Sequence, residues 1–230
     1  MASGEKNKII IGIDEAGRGP LAGPVIAAAM TIRQFSIFPS TLMVSGPKGN
    51  FQFSKNFQKI KDSKKLSPKK REEIYNFLKN RQDVFWGVGR VGERVIDKIN
   101  IFEATKLAMI RAVNNLKSKI QTSDTEFFGA KRQNLLLLID GNFGIDLDIP
   151  QKSVVKGDEK IQIISLASIV AKVTRDRIMI GAHKKFPQYG FLQHKGYGTK
   201  MHIEKIKKHG PCEIHRKTFK PISKLLQHRF

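Results

Sequence analysis

The residues best suited to chemistry are two adjacent acids, Asp14 and Glu15, and the glycine-rich turn that follows them. They come after the β-branched run 9–13, so we predict a strand that ends at the two carboxylates. In the turn, two glycines flank an arginine, which lets backbone N–H groups and a guanidinium face the oxygens of a ligand. The turn residues are Gly17, Arg18 and Gly19. The alternative is an ordinary charged turn after a buried strand, and the acid pair alone does not decide between the two.

Two further acids occupy comparable positions. Asp140 follows the continuous apolar run 135–139, which is typical of a strand buried on both faces. Asp158 lies near the start of a long helical pattern. Taken alone, Asp140 is consistent with a common Asp-Gly turn, and Asp158 with an acid that the helix dipole stabilises without any catalytic role.

The alternation of predicted strands and helices indicates an α/β fold, in which strand ends meet at one edge of a sheet. We therefore expect the four acids to converge there. Carboxylates packed together repel one another unless divalent cations hold them ionised. Mg²⁺ or Mn²⁺ suits oxygen-only ligands, and two such ions about 3.5–4 Å apart catalyse phosphodiester hydrolysis. Because adjacent strand residues point to opposite faces, we expect Glu15 to lie past the strand end or to bind through its backbone carbonyl.

The composition indicates a polyanionic partner. The 230 residues include 42 Lys plus Arg against 20 Asp plus Glu, a formal net charge of +22, and the pI is about 10.2. This excess favours nucleic acid over a general solubilising role. The single cysteine, Cys212, excludes an internal disulfide, and no apolar run reaches the roughly 18 residues that span a bilayer. We expect a cytoplasmic protein without a secretory signal.

The remaining elements follow from hydrophobic periodicity. We predict strands at 24–31, 84–91 and 154–155, a helix capped by Ser67 with Pro68 in its first turn, and helices over 95–115 and 160–185. Phe77 and Phe102 fall on the apolar stripes of two of these helices. Residues 33–60 and 121–134 are predicted loops. Lysines around the start of the first helix oppose its dipole and favour phosphate binding, with ordinary exposed lysines as the alternative.

Regular periodicity stops near residue 186. We divide the chain into a catalytic domain at 1–185 and a basic helical segment at 186–230, joined by a linker. From His194 to Phe230, lysines and arginines are interleaved with aromatic residues, a pattern that predicts a nucleic-acid surface. Five of the six histidines lie there, but with one cysteine a zinc site is the less favoured interpretation.

Motifs along nearly the whole chain resemble, in order and spacing, those of the ribonuclease HII family. They are DEAGRGPLAGPV at 14–25, DSKKLS at 62–67, IDGN at 139–142, KGDEK at 156–160, ASIVAKVTRDR at 167–177, HKGYGTK at 194–200 and GPCEIHRKTF at 210–219. The resemblance implies a ribonuclease H-like fold, in which helices flank a mixed five-stranded sheet. It also implies a small helical C-terminal segment that closes over the substrate.

The resemblance further implies a role for individual residues. The catalytic, metal-binding carboxylates would be Asp14, Glu15, Asp140 and Asp158. The turn residues Gly17, Arg18 and Gly19 would contact the ribonucleotide 2′-OH. Tyr197 would stack at the RNA-to-DNA step, with a core tyrosine as the alternative, and Lys64 would contact a phosphate.

The implied activity is metal-dependent hydrolysis of the RNA strand of RNA/DNA hybrids. It includes cuts 5′ of a single ribonucleotide in duplex DNA, leaving 3′-OH and 5′-phosphate ends. We expect the protein to be a monomer. The GRG turn favours this family over ribonuclease HIII, which has a GKG-like turn. Two alternatives stay open. A junction resolvase-like nuclease would need no 2′-OH sensor, and a non-catalytic hybrid-binding module would have no use for four acids on a basic surface.

Overall fold

The structure is a computed structural model that describes residues 9–33, 66–123 and 135–227. Lys64 and nearly all of the predicted loops at 33–60 and 121–134 lie outside the described residues. The phosphate-contacting role of Lys64 therefore stays a prediction.

Five strands form one mixed sheet in the order β3-β2-β1-β4-β5, as the resemblance implied. The strands are β1 (Ile9–Ala16), β2 (Val25–Ile32), β3 (Val84–Val91), β4 (Leu135–Asp140) and β5 (Gln151–Val154). β1 is antiparallel to β2 and parallel to β4, and Ile13 is paired with Ile139. One residue further along each strand come Asp14 and Asp140. The parallel register therefore places two of the predicted site residues side by side at the centre of the sheet.

Seven helices accompany the sheet in the described ranges. They are α1 (Pro68–Lys79), α2 (Glu93–Ser123), α3 (Gly157–Lys160), α4 (Gln162–Lys185), α5 (Phe191–His194), α6 (Lys200–His209) and α7 (Ile222–Gln227), with a 3-10 turn at Pro187–Tyr189. Ser67 caps α1 as predicted, because its hydroxyl accepts a hydrogen bond from the Lys70 N–H at 3.2 Å. None of the helices in these ranges combines the length and apolar character needed to cross a membrane.

Several predicted boundaries were wrong. β1 does not stop at the acids, because its pairing with β2 continues through Glu15 opposite Ala27 and Ala16 opposite Ile26. The helix predicted at 160–185 begins as the separate turn α3, since Ile161 is extended between α3 and α4. β5 ends before residue 155, where its parallel ladder with β4 stops. α2 is longer than predicted in both directions and is broken at Asn100, where φ is 66°.

Helices cover both faces of the sheet. One face packs on α1 and α4, and the other packs on α2. Phe77 and Phe102 do not belong to these cores, since they are 40% and 39% exposed. The Phe102 ring instead meets the Phe143 ring edge-on, with 5.1 Å between centroids.

The residues after 186 build a third core rather than a linker. Tyr189 and Phe191 are buried there together with Ile206 and Ile222. Leu21 and Ala22, from the connection between β1 and β2, belong to the same cluster. Burial of these aromatic rings explains why the segment is compact. The shared cluster also packs the segment against the connection that carries the glycine-rich turn.

Candidate active site

Three of the four predicted acids converge. Asp14 comes from β1, Asp140 from the end of β4 and Asp158 from α3, and one carboxylate oxygen of each lies within 4.8 Å of the others. Asp14 and Asp158 are buried, and Asp140 is partly buried. The N–H of Gly157 donates to Asp140 Oδ1 at 2.7 Å. This bond fixes the short helix that carries Asp158 against the strand that carries Asp140.

The cluster is electrostatically strained in the absence of a cation. Burial raises the pKa of Asp14 well above its ordinary value, and repulsion from Glu15 and Asp140 raises it further. Two hydrogen bonds lower the pKa of Asp14. One involves the Ser168 side chain, and the other comes from the Glu15 N–H, which lies 2.7 Å from Asp14 Oδ1. A bound divalent cation would neutralise the repulsion and keep Asp14 ionised. The donors are all carboxylate oxygens, which fits Mg²⁺ or Mn²⁺.

Glu15 stands outside this cluster. It lies within β1, so its side chain leaves the strand on the opposite side from that of Asp14. Its Oε1 lies 3.5 Å from Nη1 of Arg18. The expectation that Glu15 lies past the strand end was wrong, because β2 pairing extends the strand. A role as metal ligand through its backbone carbonyl stays a prediction.

The glycine-rich turn is held by two buried arginines that the sequence analysis did not identify. Arg216 donates to the carbonyls of Gly17, at 2.6 Å, and Arg18, at 2.8 Å, and also to Gly23 O. Arg175 donates to Pro24 O at 3.1 Å and to two further carbonyls, Ala22 O and Lys195 O, at 3.0 Å each.

Both guanidiniums are fully buried. Burial lowers the pKa of both groups, and that of Arg216 falls to about 9. No clear signal in the sequence marks either arginine, since Arg175 is one of four charged residues in VAKVTRDR at 170–177.

Tyr197 has an exposed ring, so the alternative of a core tyrosine was wrong. The residue is 42% exposed. The ring lies near two cations, with Lys172 Nζ at 5.5 Å and Arg175 Cζ at 5.7 Å from its centroid. An accessible ring can stack on a nucleotide while the partly exposed Lys172 ammonium attracts its phosphate, whereas the Arg175 guanidinium is buried.

Three histidines behind Tyr197 are held as neutral rings. Since a backbone carbonyl only accepts, His202 Nδ1 donates to Tyr197 O at 2.9 Å, which leaves His202 Nε2 to accept from His215 Nε2 at 3.1 Å. His215 Nδ1 accepts from the Cys212 N–H at 2.9 Å. His194 donates to Tyr189 O and accepts from the Gly196 N–H. The hydrogen bonds occupy the ring nitrogens, which argues against zinc.

This chain of neutral histidines should make the protein acid-sensitive. Burial lowers the pKa of His202 and His215 to about 4 from an ordinary 6.5. Because the folded state disfavours the charged ring, their stabilisation is complete above about pH 6.5 and is lost as pH falls through 4. We expect the free energy of unfolding to drop by on the order of 3 kcal/mol for each of the two rings over that interval.

Denaturant unfolding at several pH values measures this loss. His202→Asn should be less stable at pH 7 yet lose less stability in acid, because one titrating ring is gone. His209→Gln is the matched control, since His209 is exposed. Equal acid sensitivity in the wild-type protein and His202→Asn would contradict the prediction.

Comparisons with known proteins agree with this geometry. The family model for ribonuclease HII matches residues 11–222. Ribonuclease HII of Chlamydia pneumoniae is 39% identical over 221 residues, which are 96% of this chain and 87% of the relative. Ribonuclease HII of Bacillus cereus (strain Q1) is 46% identical over 218 residues, with 95% and 71% covered.

Solved structures show the same fold. The ribonuclease H2 from Pyrococcus horikoshii OT3 superposes with a TM-score of 0.66 at 24% identity, covering 95% of this chain and 97% of the other. Bst-RNase HIII in complex with Mn²⁺ gives a TM-score of 0.66 at 16% identity, with 98% and 71% covered. The predicted ribonuclease H-like fold is thereby confirmed. With its family model and its relatives in agreement, the chain belongs to the ribonuclease HII family, whose members are metal-dependent hydrolases of RNA/DNA hybrids.

Proposed function

We propose that this ribonuclease H cuts 5′ of ribonucleotides in duplex DNA, including a single embedded one, and leaves 3′-OH and 5′-phosphate ends. The observation that carries the proposal is the convergence of three carboxylates within 4.8 Å, one of which, Asp14, lies on the strand that leads into the glycine-rich turn. Only a contact to the 2′-OH distinguishes RNA from DNA at one nucleotide. A sensor directly after the carboxylates would report on the nucleotide at the scissile phosphate.

The three aspartates would hold the divalent ions, Mg²⁺ or Mn²⁺, with Glu15 as a further ligand through its carbonyl. When bound, such ions activate water and stabilise the leaving oxygen. The chain supplies the geometry. The Ser168 hydroxyl and the Glu15 N–H hold the Asp14 carboxylate in place, and the Gly157 N–H does the same for Asp140.

Recognition is assigned to the turn and to Tyr197. Arg18 and Gly19 are exposed at the turn, and their N–H groups are suited to bind a hydroxyl oxygen. The Tyr197 ring would stack on the sugar that follows the ribonucleotide, where a second 2′-OH would crowd it. This favours a DNA nucleotide at that position. Burial raises the pKa of the Cys212 thiol to about 11, so its sulfur is protonated and poorly reactive.

Cleavage of a duplex with one ribonucleotide, with and without Mg²⁺, tests the proposal. We expect cuts only with Mg²⁺ and only 5′ of the ribonucleotide. Because stacking on an aromatic ring contributes about 1–3 kcal/mol, Tyr197→Ala should lower kcat/KM on this duplex roughly tenfold or more. Tyr197→Phe, which keeps the ring, is the control and should retain most activity.

Three results would contradict the proposal. One is cleavage of long RNA tracts only, with Tyr197→Ala making no difference on the single-ribonucleotide duplex. Another is cleavage of a four-way DNA junction without ribonucleotides, which would indicate a resolvase. The third is tight hybrid binding with no cleavage in either metal, which would indicate a binding module.

A further inference from the structure

Arg216 buries a charged guanidinium, which is energetically unfavourable, and the carboxylate cluster does not explain why the charge is there. Its guanidinium is fully buried, and removing such a charge from water is unfavourable unless its donors are satisfied. No carboxylate among the described residues lies within salt-bridge distance of Arg216. Its hydrogen-bond partners in the described part of the chain are three backbone carbonyls, those of Gly17, Arg18 and Gly23. The energy of those hydrogen bonds therefore holds the glycine-rich turn in one conformation.

Fixing these carbonyls also fixes the opposite edges of their peptide planes. In a trans peptide the C=O and the next residue's N–H point in opposite directions. Since Gly17 O and Arg18 O both face Arg216, the N–H groups of Arg18 and Gly19 point away from it. Both residues are exposed. Neither N–H donates a hydrogen bond to any residue in the described part of the chain.

We propose that Arg216 is a positioning residue for ribonucleotide recognition, acting through the carbonyls of Gly17 and Arg18 to aim two N–H groups at the 2′-OH oxygen. A guanidinium bonded to a carbonyl polarises the peptide and makes its N–H a stronger donor. The inference rests on the proposed function, because it assigns Arg216 to the ribonucleotide sensor of that site.

Arg175, on α4, provides a matched control because it also supports the connection that contains this turn. It is equally buried and likewise donates to backbone carbonyls, but these belong to Ala22, Pro24 and Lys195. Its side chain packs against Gly17, but its hydrogen bonds leave the Gly17 and Arg18 carbonyls, whose peptides carry the outward N–H groups, to Arg216. Loss of either arginine should therefore weaken the fold, whereas loss of Arg216 alone should change ribonucleotide recognition.

The experiment compares Arg216→Lys with Arg175→Lys, since lysine keeps the charge but cannot hold several carbonyls at once. Dissociation constants are measured for an all-DNA duplex and for the same duplex with one ribonucleotide, in an Asp140→Asn background. We expect Arg216→Lys to reduce the preference for the ribonucleotide roughly tenfold, with all-DNA affinity unchanged. Arg175→Lys should keep the preference.

An amide NMR measurement keeps the proposal testable if a lysine variant folds poorly. In the protein with both arginines intact, the Arg18 and Gly19 amide signals should shift with the ribonucleotide duplex and not with all-DNA duplex. Equal shifts with both duplexes, an unchanged preference in Arg216→Lys, or an equal loss in both lysine variants would overturn the role of Arg216. Failure of the wild-type enzyme to cut the ribonucleotide duplex with Mg²⁺ would instead overturn the proposed function.

Discussion

Asp14→Asn should lower the cleavage rate on an RNA/DNA hybrid with Mg²⁺ on the order of 10³-fold or more, because a carboxylate ligand worth several kcal/mol is lost. The fold should survive. Asp14 is buried, and its pKa is raised by burial and by repulsion from neighbouring carboxylates. A neutral amide of the same shape therefore removes both the buried charge and the repulsion. We expect the melting temperature of Asp14→Asn, measured without metal, to equal or exceed that of the wild-type protein.

The same substitution at Asp140 and Asp158 should also abolish cleavage, since their oxygens meet that of Asp14 within 4.8 Å. Hybrid binding should persist, because removing negative charge does not weaken phosphate contacts. Asp146→Asn is the matched control, as Asp146 is exposed and outside the cluster. Near-normal turnover in any cluster variant would remove that residue from the metal site, and unfolding would show that the carboxylate has a structural role.

The aspartates could be predicted because their positions follow from strand geometry. An apolar run that ends on an acid, on two parallel neighbouring strands, places two carboxylates side by side, as Asp14 and Asp140 show. Asp158 was less certain from the pattern alone, since an acid near a helix start has a simpler explanation. Its place in the cluster depends on the short helix α3, which the periodicity merged with α4.

The supports of the glycine-rich turn could not be predicted in the same way. Arg216 is 199 residues from the Gly17 carbonyl that it binds, and every residue type offers the same carbonyl. Because the acceptors are main-chain carbonyls, no particular residue type in the sequence marks them as partners of Arg216. The location of the histidines was predicted wrongly for a related reason. Their clustering in a basic segment predicted a surface, yet His202 and His215 are buried as neutral rings.

Two alanine substitutions in the turn should both impair cleavage but differ in their effect on the stability of the fold. Gly17 has φ +99°, and a Cβ there would lie 2.2 Å from Arg175 Nε and 2.8 Å from Pro24 O. Both the strained backbone and the clash oppose a side chain. Gly17→Ala should therefore destabilise the fold by about 2 kcal/mol or more, and it should lose cleavage as a consequence of a displaced turn.

Gly19→Ala should instead lose cleavage without losing stability. A Cβ at Gly19 meets no described atom within 4 Å, so its free energy of unfolding should change by no more than about 0.5 kcal/mol. If the ribonucleotide sugar rests against this turn, the added methyl occupies that space, and kcat/KM on a single-ribonucleotide duplex should fall at least roughly tenfold. Affinity for an all-DNA duplex should barely change. A Gly19→Ala enzyme with wild-type activity would place the 2′-OH contact elsewhere, because open space beside Gly19 would then have no occupant.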